Sequence, residues 1–232
     1  MFAVYKREFR AYMNNVYGWL FMAVLLLFAG FMMFLENLVV GAPNIEYALL
    51  DSKYVLLLMI PILCMRSMAE DRRNKTDMFY LSLPMRSSSV VLGKYFALLT
   101  VYAIPCAVLA VYPVILGMFG EVHFLSAYSA LLFFFLLGAA LIAVCQFTSA
   151  LTDNLVVAAV LGVLSMLILW GLSFLKSIVP ALGFVARISP FVHFEEAAIY
   201  GLFSIPSLVL LLSYPVFFLV LTTLTADRKR WA

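Results

Sequence analysis

Long apolar runs alternate with short polar stretches along the chain. Six of the runs are predicted to cross a bilayer as helices, because a helix rises about 1.5 Å per residue and a hydrocarbon core of about 30 Å needs about 20 apolar residues. These runs cover approximately residues 16–40, 54–68, 88–117, 127–150, 155–175 and 206–225. Pro61 lies inside the second run, where we expect it to kink the helix and leave a carbonyl group free.

Residues 1–15 have the spacing of an amphipathic helix ahead of the first run. One arc of the helix carries Phe2, Tyr5, Phe9, Tyr12 and Met13, and another carries Lys6, Arg7, Arg10 and Asn14. This pattern predicts an interfacial helix whose basic face meets anionic headgroups. The alternative is a positive tail that only sets topology. We expect the first apolar run to remain as an anchor, because it is too long for the apolar core of a signal peptide.

Residues 69–87 form a charged segment between the second and third runs. Its charged residues are Glu70, Asp71, Arg72, Arg73, Lys75 and Asp77. We predict a short helix outside the bilayer that begins at about Asp71, which caps it, and ends at about Leu81, before Pro84. The exposed aromatic side chains Phe79 and Tyr80 favour docking on a protein. The alternative is a solvated loop whose positive charges fix topology.

Residues 176–204 are moderately apolar but contain several residues that interrupt a membrane helix. Pro180, Gly183, Pro190 and the Glu195–Glu196 pair argue against a full crossing. We therefore predict a re-entrant or interfacial hairpin on the side of the membrane away from the charged segment. A second polar cluster, residues 146–154, is predicted to mark a tight turn between the fourth and fifth runs.

Composition and charge place the chain in a membrane. It is 66% hydrophobic and 12% charged, with a mean hydropathy of +1.09, which is far more apolar than a soluble domain. The net charge of +3 gives no argument for nucleic acid. With six crossings, twelve of the 15 basic residues fall on one side: Lys6, Arg7, Arg10, Arg66, Arg72, Arg73, Lys75, Arg86, Lys94, Arg228, Lys229 and Arg230. The positive-inside rule makes that side cytoplasmic and puts both termini there.

Several enzymatic and metal-binding functions lack the residues they need. Gly93 and Lys94 are not part of a phosphate-binding loop, which requires GxxxxGK followed by Ser or Thr. His123 and His193, with Glu121, Glu195 and Glu196, have no metal-ligand spacing, so we expect solvated or interfacial side chains. The alternative for Glu195 and Glu196 is an extracellular gate. Cys64, Cys106 and Cys145 are predicted to be packing residues.

Ionisable residues are nearly missing from the predicted membrane interior. This argues against an ion-coupled carrier and against an intramembrane hydrolase, and it favours energy supplied from outside the chain. Lys94 is expected to extend its ammonium group to the headgroups.

The charged segment and its flanks resemble the loop between the second and third membrane helices of ABC-2 type permeases, closest to the gliding-motility-related subgroup. The similarity rests on Pro61, Met65, Arg66, Ala69, Glu70, Thr76, Leu81, Leu83, Pro84 and the run Val91–Tyr95. The chain departs from the family pattern at Cys64, Asp71 and Lys75. The resemblance implies that the loop carries a coupling helix seated in a cleft of a separate ATP-binding subunit. It also implies that residues 1–15 are an elbow helix that touches the same subunit.

These inferences together predict one all-α, ABC-2 type transmembrane domain over residues 1–232. It would have six transmembrane helices, the elbow helix at 1–15, the coupling loop at 69–87 and the re-entrant segment at 176–204. The predicted coupling residues are Glu70, Asp71, Arg72, Arg73, Lys75, Thr76, Asp77, Phe79 and Tyr80, and the predicted elbow residues are Tyr5, Lys6, Arg7, Phe9 and Arg10.

The predicted function is that of a permease subunit in a bacterial-type plasma membrane that exports a hydrophobic or amphipathic substrate. It would have no cofactor or ATPase site of its own. ATP and Mg would be bound by a separate ATPase subunit, and the other partners would be a second permease copy or paralogue and membrane lipids. The alternative is a scaffold or sensor subunit that recruits a cytoplasmic partner through residues 69–87.

Overall fold

The structure is a computed structural model that describes residues 1–39, 41, 44–74, 87–118, 122–178, 183–201 and 204–228. These residues form helices and their connections, with no strand among them. The helices are α1 (Phe2–Met13), α2 (Val16–Met33, continued by a π-helical turn at Phe34–Val39), α3 (Ile45–Arg73), α4 (Ser87–Leu109), α5 (Tyr112–Leu116), α6 (Phe124–Leu151), α7 (Leu155–Ile178), α8 (Gly183–Ala186), α9 (Pro190–Tyr200) and α10 (Ile205–Arg228).

Six of the described helical segments are long and apolar enough to cross a membrane, which confirms the predicted all-α, multi-pass fold. They are Val16–Asn37, Ile45–Arg73, Ser87–Leu116, Phe124–Leu151, Leu155–Phe174 and Ile205–Arg228. The third segment includes the short helix α5, whose first turn contains Pro113. Five of the segments lie within a few residues of their predicted bounds, and the second is much longer than predicted.

The second crossing, α3, shows where the predicted boundaries were wrong. Its 29 residues continue through Pro61 and include Lys53 at one end and Asp71 at the other. Both charged side chains are ion-paired, so the helix can extend past the points where their charge was expected to end it. Asp71 therefore lies in the last turn of α3 and does not begin a separate helix. Residues 75–86, the rest of the predicted coupling helix, lie outside the described residues.

The core of the bundle is built around α6. Most of its membrane segment is buried, and it packs against α3, α4, α7, α9 and α10. Small residues allow the close approach, as is usual between membrane helices. The ring of Tyr102 fills the space that a side chain at Gly138 would need, and the Tyr102 hydroxyl donates a hydrogen bond of 2.8 Å to the carbonyl of Phe134.

The segment before the last crossing contains two short helices, α8 and α9, and no described helix there is long enough to span a membrane. Ser189 caps the start of α9 by accepting a hydrogen bond from the backbone N–H of Phe191. Gly201 ends α9 with a left-handed φ of 60°, a conformation that glycine adopts without strain. Whether this segment re-enters a bilayer stays a prediction.

The bundle has two chemically different ends. We call the basic end the one where α1, the end of α3 and the start of α4 meet, since Arg7, Asp71 and Lys94 lie together there. The opposite end holds the start of α3 with α9, which Lys53 and Glu195 join. The elbow and coupling residues that the structure describes all belong to the basic end.

Candidate functional site

The predicted site residues lie on two helices of the basic end. Glu70, Asp71, Arg72 and Arg73 form the last turn of α3. The predicted elbow residues lie on α1, which packs chiefly against α4. Lys75, Thr76, Asp77, Phe79 and Tyr80 lie outside the described residues.

Helix α1 forms as predicted and buries Tyr12 of the predicted apolar arc, but it also buries Val4, which lies outside that arc. Val4 and Tyr12 are its buried residues, whereas Phe2 is largely exposed. Val4 lies over Gly93 of α4, where a side-chain carbon in place of the glycine hydrogen would approach Val4 Cβ to 3.1 Å. The glycine thus lets α1 sit close to α4, and this contact, rather than the aromatic arc alone, sets the position of α1.

Lys94 is the centre of the basic end. Its side chain is buried, with only 2% of the residue exposed, so the expected extension to the headgroups was wrong. The ammonium group lies 2.5 Å from Oδ2 of Asp71 and 3.8 Å from Oε1 of Glu8, and it donates a hydrogen bond to the carbonyl of Ser67. A buried ammonium requires such partners, and here they come from α1 and α3.

Arg7 completes this group of charges. It forms an ion pair with Glu8 beside it and lies 3.9 Å from Oδ2 of Asp71. We call Arg7, Glu8, Asp71 and Lys94 the Lys94 cluster. Two positive and two negative side chains from α1, α3 and α4 therefore share one contact region. A displacement of any one of the three helices would separate opposite charges in a poorly hydrated place.

A second ion pair stiffens the end of α3. Arg66 binds Glu70 one turn later through two hydrogen bonds, of 2.6 Å and 2.7 Å, and its guanidinium group lies 4.8 Å from the ring centre of Tyr17. Tyr12 of α1 packs beside them and donates a hydrogen bond of 3.4 Å to the carbonyl of Leu63. Burial of the Tyr12 phenol raises its pKa well above the ordinary value, so this hydroxyl stays protonated and remains a donor.

The end of α6 is joined to α3 and α4 by polar side chains that were expected in a turn. Ser149 is fully buried, and its hydroxyl lies 3.2 Å from the backbone N–H groups of Met68 and Ala69 and from the carbonyl of Met65. Gln146, also buried, donates a hydrogen bond of 3.0 Å to the carbonyl of Val91. Both residues lie inside the predicted fourth run, and the turn itself follows them at residues 152–154, since α6 continues to Leu151.

Arg72 provides a further link between the ends of α3 and α6. Its guanidinium group donates to the carbonyl of Ala150 and lies 3.9 Å from Oδ1 of Asp153. Asp153 belongs to the short connection between α6 and α7. Four helices and one connection are thus held together at the basic end. Arg73, Lys6 and Arg10 remain solvent-exposed there and present positive charge outward.

The opposite end also differs from the sequence prediction. His193 is buried rather than solvated: its Nε2 donates to the carbonyl of Arg187 at 2.7 Å, and its Nδ1 lies 2.9 Å from the hydroxyl of Ser207. Glu195 forms an ion pair with the buried Lys53. Lys53 and Lys94 are thus both buried within the protein, whereas the scarcity of ionisable groups in the membrane interior stays a prediction.

Sequence reasoning missed Glu8, Gly93 and the pairing of Lys94. Two signals were present. Lys94 is the one charged residue in the segment 87–118, and Glu8 is the one acidic residue in the basic segment 1–15. A lone charge in an apolar run needs an opposite charge from another part of the chain, and Glu8 and Asp71 were among the acids predicted at the same end.

The described part of the site is a joint between helices. The Gly93–Lys94 pair lies under α1, and the ammonium group is occupied by two carboxylates, so it is not arranged to hold phosphates. Within the described residues no group of three or more His, Cys, Asp or Glu side chains is placed to hold a metal ion. What the geometry does provide is an attachment of α1 to the end of α3 and the start of α4.

Comparison with known proteins identifies a family over most of the chain. Residues 42–224 match the protein family described as "ABC-2 family transporter protein". The match includes all of α3 to α9 and most of α10. No curated protein matches the chain.

Proposed function

Because the chain belongs to the ABC-2 family of transporter proteins, and is thereby the membrane permease component of an ABC transporter, we propose that its basic end receives the ATP-driven movement. The ATP-binding cassette subunit that the family implies as a partner would bind ATP and Mg, since the permease is not itself an ATPase. The contact would be made by the segment 75–86 together with the exposed positive side chains of α1 and α3.

The observation that supports this proposal is the Lys94 cluster. Asp71 lies three residues before Asn74, the last described residue ahead of the segment 75–86, and Lys94 lies in the second turn of the helix that follows it. Their ion pair joins the helices on either side of that segment, and Glu8 of α1 lies 3.8 Å from the Lys94 ammonium group. A push on the segment would consequently move α1, α3 and α4 as one body.

The proposed placement follows from charge. The basic end carries the exposed residues Lys6, Arg10 and Arg73, and positive residues face the cytoplasm. We place this end, with both termini, on the cytoplasmic side of a bacterial-type plasma membrane. Helix α1 would then lie along the interface with its basic face toward anionic lipid headgroups. Two permease copies, or one copy and a paralogue, would work with two ATPase subunits, and the chain would belong to the gliding-motility-related subgroup.

The proposed substrate is hydrophobic or amphipathic, such as a lipid, a drug-like molecule or a peptide, and it is moved outward. The support is the composition of the crossings, in which the described buried polar residues are few and most of them bond to backbone or to another side chain. A strongly polar substrate would require hydrogen-bonding groups along its path.

The experiment reverses exposed charges at each end of the permease and measures how much ATPase subunit is recovered with the purified complex. Arg73→Glu and Arg10→Glu change charges at the basic end, and Arg187→Glu is the matched control, since it is an exposed arginine at the opposite end. We expect the first two variants to recover less ATPase subunit and to lose substrate-stimulated ATP hydrolysis, while Arg187→Glu behaves as the unmodified chain.

Two results would contradict the proposal. One is equal recovery of the ATPase with all three variants. The other is purification of a soluble partner that does not hydrolyse ATP, which would instead support the scaffold or sensor function. A third variant, Glu70→Ala with Arg72→Ala, loosens the end of α3, because it removes the partners of Arg66 and Ala150. It should weaken ATPase association or uncouple hydrolysis from transport.

A further inference from the structure

A buried ion pair also joins two helices at the opposite end, far from the proposed coupling site. Lys53 of α3 is 7% exposed, and its ammonium group contacts the carboxylate of Glu195 on α9. The two residues are 142 positions apart in the chain. At about 1.5 Å per residue, Lys53 lies about 12 Å from the first residue of α3, well inside the helix. Neither residue belongs to the coupling site.

The other polar contacts of α9 lead to different helices. Ser189, at its start, donates a hydrogen bond of 2.7 Å to the carbonyl of Leu169 on α7. His193 lies 2.9 Å from the hydroxyl of Ser207 on α10. The pair between Glu195 and Lys53 is therefore the polar contact, among the described residues, that holds α9 against α3. Helix α9 is short, begins at the cap Ser189 and ends at Gly201, and its apolar face packs on α6 as well as on α3.

The exposure of the two partners makes this contact able to open. Lys53 is enclosed, whereas 29% of the Glu195 side chain is accessible. Separating the charges without water would leave an unpaired ammonium in a poorly hydrated place, which is strongly unfavourable. Once water enters, both charges are solvated and the cost falls. Opening and hydration of this end would thus be one event.

We propose that the Lys53–Glu195 ion pair is a latch that holds α9 on α3 and keeps this end of the permease closed in the resting state. The inference rests on the proposed function only for the force that opens the latch. Lys53 and Glu195 are positioning residues: they contact each other and determine whether the space between α3 and α9 is accessible to water.

A buried reporter cysteine tests the latch directly. Ser52 is fully buried beside Lys53, and Ser52→Cys changes its size little. The permease with its ATPase is placed in lipid nanodiscs, where both ends are accessible, and the rate of modification by a charged maleimide is measured. The same complex without the reporter gives the background from Cys64, Cys106 and Cys145.

In the reporter background, Lys53→Gln and Glu195→Gln should each raise the rate of modification about tenfold, which corresponds to about 1.4 kcal/mol in the equilibrium between closed and open states. Glu196→Gln is the matched control, because Glu196 is the exposed neighbour of Glu195, and it should leave the rate unchanged. The reversed pair, Lys53→Glu with Glu195→Lys, should bring the rate back to within about twofold of the starting value.

Two outcomes overturn the latch. In the first, the single variants lower the thermal stability of the complex but leave the modification rate unchanged, so the pair only stabilises the fold. In the second, the reversed pair modifies as fast as the single variants, so the charges themselves are not what holds α9.

The result with nucleotide separates this inference from the proposed function. One result is that ATP with vanadate speeds maleimide labelling of the Ser52→Cys reporter permease but does not speed it further when Glu195→Gln is added. In that case the latch and its ATP-driven opening both stand. If nucleotide has no effect but Glu195→Gln still speeds modification, the latch stands and the coupling proposed for the basic end fails.

Discussion

Among the residues that the structure describes, each end of the bundle contains one buried lysine, and the two lysines are held in different ways. Lys94, which lies on α4, contacts the carboxylates of Glu8 on α1 and Asp71 on α3 and the backbone carbonyl of Ser67. Three helices therefore meet at this lysine. Lys53 contacts one carboxylate, whose side chain is partly exposed, and its ammonium group lies 5.1 Å from the ring centre of Tyr54 on its own helix. Many partners from several helices make a joint that is costly to open in any direction. A joint to another helix that rests on one partly exposed carboxylate is easier to open.

The difference has a consequence for how a movement crosses the membrane. Helix α3 carries Asp71 at the basic end and Lys53 at the opposite end, and it packs along α2, α6 and α7 between them. A rigid joint at one end and a separable joint at the other let this single helix transmit a displacement. If the separable joint were at the basic end and the rigid joint at the opposite end, a movement that starts at the basic end would open the joint there and would not reach the opposite end.

The largest expected effect comes from removing the two lysines in turn. Lys94→Met takes away the ammonium group that faces Asp71 and Glu8, and we expect the free energy of unfolding to fall by about 3–5 kcal/mol, as for other broken buried ion pairs. Lys53→Met should cost less, because Glu195 can be hydrated where it stands. Equilibrium unfolding in mixed detergent micelles measures both values.

Lys6→Met is the control for this comparison, since Lys6 lies on the same end of the bundle but is exposed. Its free energy of unfolding should stay within about 0.5 kcal/mol of the starting value. Equal losses for Lys94→Met and Lys53→Met would show that the two joints do not differ in strength.

How much of this arrangement could be predicted from sequence depends on the range of the interaction involved. The six crossings follow from runs of apolar residues, which are a local property, and they are confirmed. The interruption before the last crossing is local too, because Pro190 and Gly201 act on their own backbone. The amphipathic spacing of residues 1–15 likewise predicted the helix that α1 forms.

The partners of the buried charges could not be predicted in the same way. Lys94 was expected at the headgroups because long lysine side chains often reach them, and nothing local indicates that Asp71 and Glu8 converge on it. Asp71 has the character of a helix cap, yet its pairing with Lys94 lets α3 continue past it. For Lys53 and Glu195 the partners are 142 positions apart, so only the packing of α9 on α3 reveals them.

The next largest effect tests the backbone at the opposite end. Gly201→Ala places a side chain at a φ of 60° and brings its Cβ to 2.6 Å from the hydroxyl of Ser126. We expect a loss of about 1–2 kcal/mol from the backbone conformation, with further loss from the contact, measured by unfolding as above.

Gly41→Ala isolates the contribution of that contact. Gly41 also has a positive φ, of 78°, but no atom lies within 4 Å of the added carbon. It should therefore show the backbone cost alone. If the two alanine variants lose the same free energy of unfolding, the contact between residue 201 and Ser126 of α6 can relax without cost. The backbone at the opposite end would then not be fixed by this contact.

A smaller effect is expected where α1 sits on α4 at the basic end. Gly93→Ala brings the added carbon to 3.1 Å from Val4 Cβ and 3.2 Å from the carbonyl oxygen of Met1. Overpacking of this kind costs about 1–3 kcal/mol in a well-packed core; we expect the low end, because α1 is a peripheral helix. The readout is the free energy of unfolding together with recovery of the ATPase subunit.

Two further variants interpret that result. Val4→Ala in the Gly93→Ala background should restore most of the loss, since it removes the side chain that the new carbon meets. Gly171→Ala is the helical control, because nothing lies within 4 Å of the added carbon there, and alanine stabilises a helix interior by about 0.5–1 kcal/mol relative to glycine. A loss at Gly93 that Val4→Ala does not relieve would mean that α1 is not positioned by this contact.

The smallest effect is expected for Arg66→Lys, although its ion pair has the best geometry at the basic end. The substitution keeps the charge but loses the paired hydrogen bonds to Glu70 and the stacking on Tyr17. The side chains of Arg66 and Glu70 are 23% and 33% exposed, so we expect a loss of only about 0.3–1 kcal/mol. A double-mutant cycle with Glu70→Gln gives the interaction energy.

The reason that this pair matters less than its geometry suggests is its place in the chain. Arg66 and Glu70 are one turn apart on α3, so their interaction stiffens a helix that is already formed and brings no second helix to it. The Lys94 cluster has longer distances to Glu8 and Arg7 but joins three helices. ATPase association should accordingly survive Arg66→Lys and be lost with Lys94→Met. Equal loss of association in both variants would show that stiffness of α3 alone, without its attachment to α1 and α4, is what the partner requires.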